Sequence, residues 1–396
     1  MQQNRLPRTV QFVLDPFERP VSGADLRNDA VKRALSPITD VKVVSPDNFH
    51  VPGQRSTGKK SAPTLLAPDE ACVLKFVKYI DNEKPDVLLF EGVGLLKFCE
   101  MLFSGHVAHR PKLVLDCHNV ESVLWEETVY RQLSGWRRFW KGRRMKGALR
   151  GARRADREAV RLCDRVLVPT RQDRARLSEL LEDEGQASKI RVVPNIAPGW
   201  SLEQLEAAKA PEIRKDVRRL IFVGHLRYGP NVDAVDFLLH RVWPRLRSEF
   251  PQLQLIIAGR SPARRIRRWT SSLENVVLEV DPVSLREIYA GSDAVIVPLR
   301  HGGGSRLKIL EALAVGAPVI ATDKAIEGLD LVEGRHWLKA ETPKDYVKAV
   351  RRLEQEAGIR ETLVRESRAF VAEDYTLEAL RKTLAPVFSE LLEHQQ

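Results

Sequence analysis

Short apolar runs alternate with helical patterns twice along this chain, and that double alternation limits the possible folds more than any other feature. In the first half the runs fall at residues 9–14, 41–44, 86–90, 112–116, 165–168 and 190–193. Most lack strict polar–apolar alternation, as expected of parallel strands covered on both faces. Helical spacing separates them at 25–35, 70–82, 94–103 and 171–182. A second series begins after the polar stretch 203–218, with strands at 220–223, 253–258, 275–280, 294–298 and 318–322. Its helices are 232–250, 262–270, 284–290 and 305–315, and from Pro343 the chain reads as helical with no strand signal. The class is α/β. Two Rossmann-like domains in tandem imply a ligand cleft lined by the carboxyl ends of both sets of strands. The reading places the domains at 1–198 and 199–374, with a terminal helical segment at 375–396, and makes 46–68 a long exposed loop.

A chain of 396 residues suits two domains. No stretch approaches 18 apolar residues, so no membrane-spanning helix is expected. Residues 1–8 are polar and lead into a strand rather than a secretory signal. The four cysteines, Cys72, Cys99, Cys117 and Cys163, are widely separated, fit neither a zinc site nor a disulfide framework, and point to the cytoplasm. A formal net charge of +11 suggests an anionic partner: nucleic acid, a membrane surface or a phosphorylated substrate.

The chemistry concentrates at His301-Gly302-Gly303-Gly304-Ser305-Arg306-Leu307-Lys308-Ile309-Leu310-Glu311. Three glycines follow an apolar strand and allow close backbone approach to a ligand. Ser305 then reads as the N-cap of a helix whose free N–H groups attract anions. Arg306 and Lys308 sit in the first turn, where the helix dipole disfavours cations, and a bound phosphate would account for them. Lys308 and Glu311 share a face, while Leu307, Leu310 and Ala314 form the buried stripe. The competing readings are a glycine turn into an ordinary helix and a plain Lys308–Glu311 surface pair.

Three other corners carry candidates. Strand 112–116 ends in Cys117-His118-Asn119-Val120-Glu121, so His118 either faces the cleft or packs in the turn while Asn119 caps the next helix. Ser22-Gly23-Ala24 makes a small-residue entry to a helix, suited to a diphosphate or sugar ring, without a full dinucleotide fingerprint. Val223-Gly224-His225-Leu226-Arg227-Tyr228-Gly229-Pro230-Asn231 forms the matching corner of the second domain, where Gly224, His225, Arg227 and Asn231 could meet an anion; a routine strand-to-helix loop is the alternative.

Between residues 131 and 154 every ionised side chain is basic. Arg137, Arg138, Arg143 and Arg144 interleave with Trp136, Phe139 and Trp140, a pattern suited to an anionic bilayer surface or to a solvated helix face. No helix-turn-helix, zinc-finger or RNA-platform signature accompanies the charge, so nucleic acid is not the expected partner. The chain also lacks a Walker lysine loop, a Gly-x-Ser-x-Gly elbow, a His-Glu-x-x-His pair and an Asp-x-Asp motif. The expected site therefore uses neither metal nor resident cofactor.

Taken together, these residues resemble a retaining family-4 glycosyltransferase of the GT-B fold (glycosyl transferases group 1). The strongest match runs from Gly302 to Thr322 and continues in Glu327-Gly328-Leu329. Phe222-Val223-Gly224, Pro230-Asn231, Val193-Pro194-Asn195 and Asp116-x-His118-Asn119-Val120-Glu121 are similar at their expected places. The resemblance implies a nucleotide-diphosphate sugar held mainly by the second domain. Arg306 and Lys308 would stabilise the diphosphate leaving group, and Glu311 would bind the ribose hydroxyls. Gly23, Gly224, His225, Asn231, Gly302, Gly303, Gly304 and Ser305 complete the implied donor contacts. His118 would face the sugar, and a final helix at 376–392 would return to the first domain. Two departures stand out. Where relatives carry a first glutamate this chain has Gly303, and an arginine and a lysine of the second domain's first corner are replaced by His225 and Asn231. The implied reaction transfers sugar, with retention, to a lipid-linked saccharide or surface polysaccharide at the inner face of a membrane. A nucleotide-sugar-binding scaffold and a nucleotide-sugar epimerase or hydrolase of the same fold are the alternatives.

Overall fold

The computed structural model describes residues 6–14, 22–49, 68–103, 107–127, 135–200, 202–208, 213, 216–303 and 306–393, with backbone alone at 103 and 135–145. The chain divides into two compact units. One comprises Met1–Asn195, Gly303–Ser305 and Leu377–Gln396; the other comprises Ile196–Gly302 and Arg306–Thr376.

The first unit holds a parallel sheet of β1 (Arg8–Phe12), β2 (Asp40–Val44), β3 (Val87–Glu91), β4 (Lys112–Asp116), β5 (Arg165–Val168) and β6 (Ile190–Val192) in the order β2-β1-β3-β4-β5-β6. All five residues of β3 are buried, as a central strand with both faces covered requires. Phe12 packs against Phe76 and Phe98 at centroid separations of 5.0 and 4.8 Å, filling one face of the sheet. The helix Gly23–Leu35 starts with a reciprocal capping box, in which Ser22 Oγ accepts from Asp25 N and Ser22 N donates to Asp25 Oδ2. The terminal helix Leu377–Glu393 packs on Gly23–Leu35, and its Glu390 pairs with Arg165 and Arg191.

The basic segment lies in the helix Gly135–Leu162. Beyond residue 145 that helix buries Ala152, Ala155, Ala159 and Val160 and exposes Lys146, Arg150, Arg153, Arg154 and Arg157. The side chains of Arg137, Arg138, Trp140, Arg143 and Arg144 lie outside the described residues. Among the described residues no helix is long and apolar enough to cross a membrane.

The second unit holds β7 (Arg219–Val223), β8 (Gln254–Gly259), β9 (Val276–Val280), β10 (Ala294–Val297), β11 (Val319–Ala321) and β12 (Leu338–Lys339), all parallel. Their order is β12-β11-β10-β7-β8-β9. Counted from β7, this is the 3-2-1-4-5-6 order of dinucleotide-binding sheets, and it puts the topological switch between β7 and β10. Each unit has its own apolar core.

Several elements differ from the sequence reading. The run 232–250 is two helices, Gly229–Phe237 and Trp243–Glu249, joined by a π-helical turn at Leu238–Val242. Pro244 has no N–H to donate and crowds the carbonyl four residues back, so the helix widens just before it. The polar stretch 203–218 contains the helix Leu202–Ala207, anchored by buried Leu205. Of the expected loop 46–68, Pro46–Phe49 forms a 3₁₀ turn with Phe49 buried, and 50–67 lies outside the described residues. The second unit takes in residues 196–198 and ends at Thr376, and Ala197 is buried in its core, where the Ala197 N–H donates to Tyr375 O.

Candidate donor-binding site

In the second unit the switch point brings together the corner after β7 and the glycine stretch after β10. The backbone meets here without side chains between. At Gly259 (φ +147°) a Cβ would lie 1.8 Å from Gly224 O, so the two loops touch main chain to main chain. At Gly302 (φ +101°) it would lie 2.7 Å from Pro230 Cγ. At Gly224 it would strike Asn231 Nδ2 at 2.8 Å and Lys308 Nζ at 3.0 Å.

The helix Leu307–Val315 begins after Arg306, whose backbone is left-handed (φ 51°, ψ 19°). That conformation cannot continue a right-handed helix, so the first turn starts two residues later than Ser305. Ser305 and Gly304 lie outside the described residues, and no side chain caps the helix among those described. The helix is buried on most of its circumference, through Ile309, Leu310, Ala312, Leu313, Ala314 and Val315. The expected narrow stripe is too small, and Leu307 is only partly covered.

The left-handed Arg306 stores about 1–3 kcal/mol of strain. Its guanidinium is turned onto Glu327, with Nε 3.2 Å from the carbonyl and Nη2 3.1 Å from the carboxylate, and Lys324 joins the same carboxylate at 2.5 Å. Lys308 Nζ lies 4.7 Å from the centroid of the Phe222 ring and donates to Asn231 Oδ1 at 2.7 Å. Asn231 Nδ2 in turn donates to His225 O at 3.0 Å. Burial, reinforced by the Arg306 charge and opposed by Glu311, pushes the Lys308 ammonium down to about 7. Burial likewise pushes Glu311 up to about 7, against the Tyr289 hydroxyl and the Lys308 charge. A plain exposed pair would show neither shift. His225 is exposed, and partial desolvation followed by Arg260 and Arg227 lowers its affinity for a proton.

The first unit gathers a second polar cluster at the carboxyl ends of β1, β3 and β4. Arg27 binds both oxygens of Asp116 at 2.7 Å and also donates to Asn195 Oδ1 (2.8 Å) and Val193 O (3.0 Å). Glu91 accepts from Gln11 Nε2 at 2.5 Å and stands 3.2 Å from His118 Nε2. Asn28, with its amide nitrogen facing the pair, reaches His118 at 2.9 Å and Glu91 at 3.0 Å. Burial, then the nearby Asp116, raises the Glu91 carboxyl, while His118 and Gln11 oppose the rise. Ligand atoms of Glu91, Asp116 and His118 lie within 4.8 Å of one another, a grouping a metal could use, but Arg27 already engages both Asp116 oxygens. His118 keeps 18% side-chain exposure, so its ring is reachable, while Glu91 has none. The following helix, Glu121–Trp125, begins at Val120 rather than Asn119 and receives its cap from Asp156, which accepts from Glu121 N and Ser122 N. Gly23 lies in the first turn of its helix, with Ser22 committed to the capping box.

Thus Gly224, Asn231, Gly302, Arg306, Lys308 and Glu311 are placed in the second unit, while Gly23 and His118 belong to the first. Gly303 is grouped with the first unit. Sequence reasoning missed Arg27, Glu91, Gln11, Tyr289 and Glu327 as site residues. Gln11 inside an apolar strand and Glu91 at the end of one were the available signals, since buried polar groups need partners. The Arg27–Asp116 pair, 89 residues apart, left no local sign.

Two six-stranded parallel sheets with covering helices, one carrying a dinucleotide-type switch point with a cationic helix start, define the GT-B glycosyltransferase fold. Within it, residues 217–356 match the family described as Glycosyl transferases group 1. The structure is similar to that of Anabaena Alr3699/HepE, solved in complex with UDP and glucose (TM-score 0.65, 13% identity, 96% of this chain and 99% of that one). It is also similar to sucrose-phosphate synthase from Thermosynechococcus elongatus (TM-score 0.69, 15% identity, 98% and 100%). In sequence it resembles an uncharacterized 44.6 kDa protein in the cps region of Klebsiella pneumoniae, 23% identical over 178 residues that make 43% of this chain and 45% of that protein. The chain spans about half the length of the curated relatives it matches.

Proposed function

We propose that the protein is a retaining glycosyltransferase that takes a sugar from a nucleoside-diphosphate donor, of the kind UDP-glucose represents, and delivers it to a saccharide or lipid-linked acceptor in surface-polysaccharide assembly. The observation that carries this reading is the start of the helix Leu307–Val315. Amides that no described side chain caps, a strained Arg306 and a desolvated Lys308 lie together beside glycines that bare the backbone. Lys308, pushed toward neutrality by burial and by Arg306, gains a proton-stabilising partner when a diphosphate arrives. Arg306 and Lys308 then neutralise charge that develops on the leaving group, in a site where fixed donors need little reorganisation. These cations and amides supply the countercharge that a metal would otherwise bring, so the reading needs none. His118, backed by Glu91, offers a hydrogen-bonding group to a sugar hydroxyl.

Support for the donor class comes from the UDP and glucose bound to HepE, while the acceptor class rests on the family resemblance of the sequence. Calorimetry with uridine diphosphate on wild type and on Arg306→Ala and Lys308→Ala tests the donor site; equal affinity in all three would sink it. NMR of the product's anomeric proton tests retention, and inversion would rule it out. Membrane association through the helix Gly135–Leu162 is part of the same proposal. Equal co-sedimentation with anionic and neutral vesicles, or no loss on charge reversal at Arg143 and Arg144, would remove it.

A further inference from the structure

Glu311 sits one turn into the helix Leu307–Val315, on the face it shares with Lys308. Packed against that helix is Leu285–Ala290, whose penultimate residue, Tyr289, is 1% exposed. A fully buried tyrosine needs a partner for its hydroxyl, and here the hydroxyl donates to Glu311 Oε2 at 3.1 Å. The other oxygen, Oε1, receives no hydrogen bond among the described residues. A glutamate's last torsion is broad and soft, so a lone carboxylate at this place would sample many orientations. One buried donor, itself fixed by the core, removes that freedom.

We propose that Tyr289 is a positioning residue: its hydroxyl holds one oxygen of Glu311 so that the other is presented as an acceptor for the ribose hydroxyls of the nucleotide. This rests on the nucleotide-sugar reading above. The electrostatics run in the same direction. Burial drives the Glu311 carboxyl toward its protonated form, and the two groups that resist are the Tyr289 hydroxyl from the neighbouring helix and the Lys308 ammonium on its own helix. A carboxyl that has lost the tyrosine holds its proton more tightly and accepts hydrogen bonds less well. The Tyr289 hydroxyl makes no other hydrogen bond among the described residues, and the ring is held among core side chains, so the hydroxyl is the part that bears on binding.

The test compares uridine diphosphate with 2′-deoxyuridine diphosphate by calorimetry on folded protein. Wild type should prefer the ribonucleotide by about tenfold, the worth of one charged hydrogen bond. Tyr289→Phe, which removes one oxygen and keeps the ring, should bring the two affinities to within about twofold. The deoxy affinity itself should stay unchanged. Glu311→Gln should erase much of the preference by itself, and Tyr289→Phe added to it should cost nothing further. If Tyr289→Phe keeps the wild-type preference, or lowers both affinities alike, the positioning role is overturned while the donor reading stands. If wild type binds neither nucleotide or does not distinguish them, the donor reading fails and the inference with it. Should Tyr289→Phe not fold, additivity can be read instead from Tyr289→Trp on the wild-type and Glu311→Gln backgrounds. Independent losses there would also overturn the proposal.

Discussion

Asn231 Oδ1 accepts a hydrogen bond from Lys308 Nζ at 2.7 Å, and its other amide end donates to His225 O. Both polar ends of a residue that the sequence suggested as an anion ligand are therefore spent on holding a cation in place. A lysine at this position would set two ammonium groups side by side; the asparagine gives one ammonium and its tether. Asn231→Ala should therefore weaken uridine diphosphate binding by about 10- to 150-fold through Lys308, since a hydrogen bond to a charged group is worth about 1.5–3 kcal/mol when buried. On the Lys308→Ala background the same change should cost almost nothing. Calorimetry on the four proteins checks it, and additive losses would show that Asn231 touches the ligand itself.

Lys308 titrates near pH 7 in the free protein. A diphosphate stabilises the charged form, so the bound pKa is higher than the free one. Binding must then take up a proton, most strongly between the free and bound values, and affinity must fall as pH rises above about 7. The measurement is the binding enthalpy in two buffers of different ionisation heat at pH 8. A clear uptake in wild type and a smaller one in Lys308→Ala is the expected outcome. Release of a proton in wild type would contradict it.

The parts of this structure legible in the sequence are those built from local pattern. The all-buried β10, the glycines after it and the apolar helix Leu307–Val315 each announce themselves within a dozen residues. So does the corner after β7. What stayed hidden is pairing over distance. Tyr289 meets Glu311 from 22 residues away, Arg300 meets Asp233 from 67 and Arg27 meets Asp116 from 89. β12, two residues long, is too short to show a period. Ser305 looked like a good N-cap by residue type, yet the left-handed backbone of Arg306 places the helix start beyond it, and no local propensity foretells an arginine there.

Asp233 ties the strand that leads to the glycines. It bonds Arg300 at 2.5 and 3.0 Å, and His301 at 3.3 Å. Burial would raise its carboxyl, but the His301 and Arg300 bonds prevail and hold it down at about 2. A carboxylate with a folded pKa below its unfolded value of 3.8 adds stability that is present above 3.8 and lost as pH falls through about 2. Because Asp233 is partly solvated, the contribution is discounted to about 1 kcal/mol. Asp233→Asn should lower the melting temperature at pH 7 by a few degrees, with the gap to wild type narrowing below pH 4. A gap that does not change with pH would show that the charge is not the cause.

Gly259 and Gly302 test the backbone contacts of the site separately. At Gly259 the obstacle to a side chain is the carbonyl of Gly224, which cannot move without pulling β7 and β8 apart. At Gly302 the obstacle is the ring of Pro230, and the positive φ adds strain. Gly259→Ala should cost about 3 kcal/mol or more, and Gly302→Ala about 1–3 kcal/mol. Thermal melts should rank them in that order, and the reverse ranking would mean that the Gly224 loop yields more readily than the proline.

The Arg27–Asp116 pair is buried on both sides, at 3% and 0% side-chain exposure, and each Asp116 oxygen has its own guanidinium nitrogen. Desolvation works against the arginine's charge, yet the pairing with Asp116 raises its proton affinity overall. Because Arg27 also holds Asn195 and the carbonyl of Val193, it fixes the end of β6 as well as the end of β4. Asp116→Leu should therefore destabilise the protein by about 3–5 kcal/mol, the cost of leaving one buried charge without its partner. Arg27→Met should cost a similar amount by stranding Asp116. Removing both, as Arg27→Met with Asp116→Leu, should cost less than either alone, because no uncompensated charge remains. Urea denaturation of the four proteins decides it. A double variant as unstable as the sum of the singles would mean that the bonds to Asn195 and Val193, rather than the ion pair, carry the stabilisation.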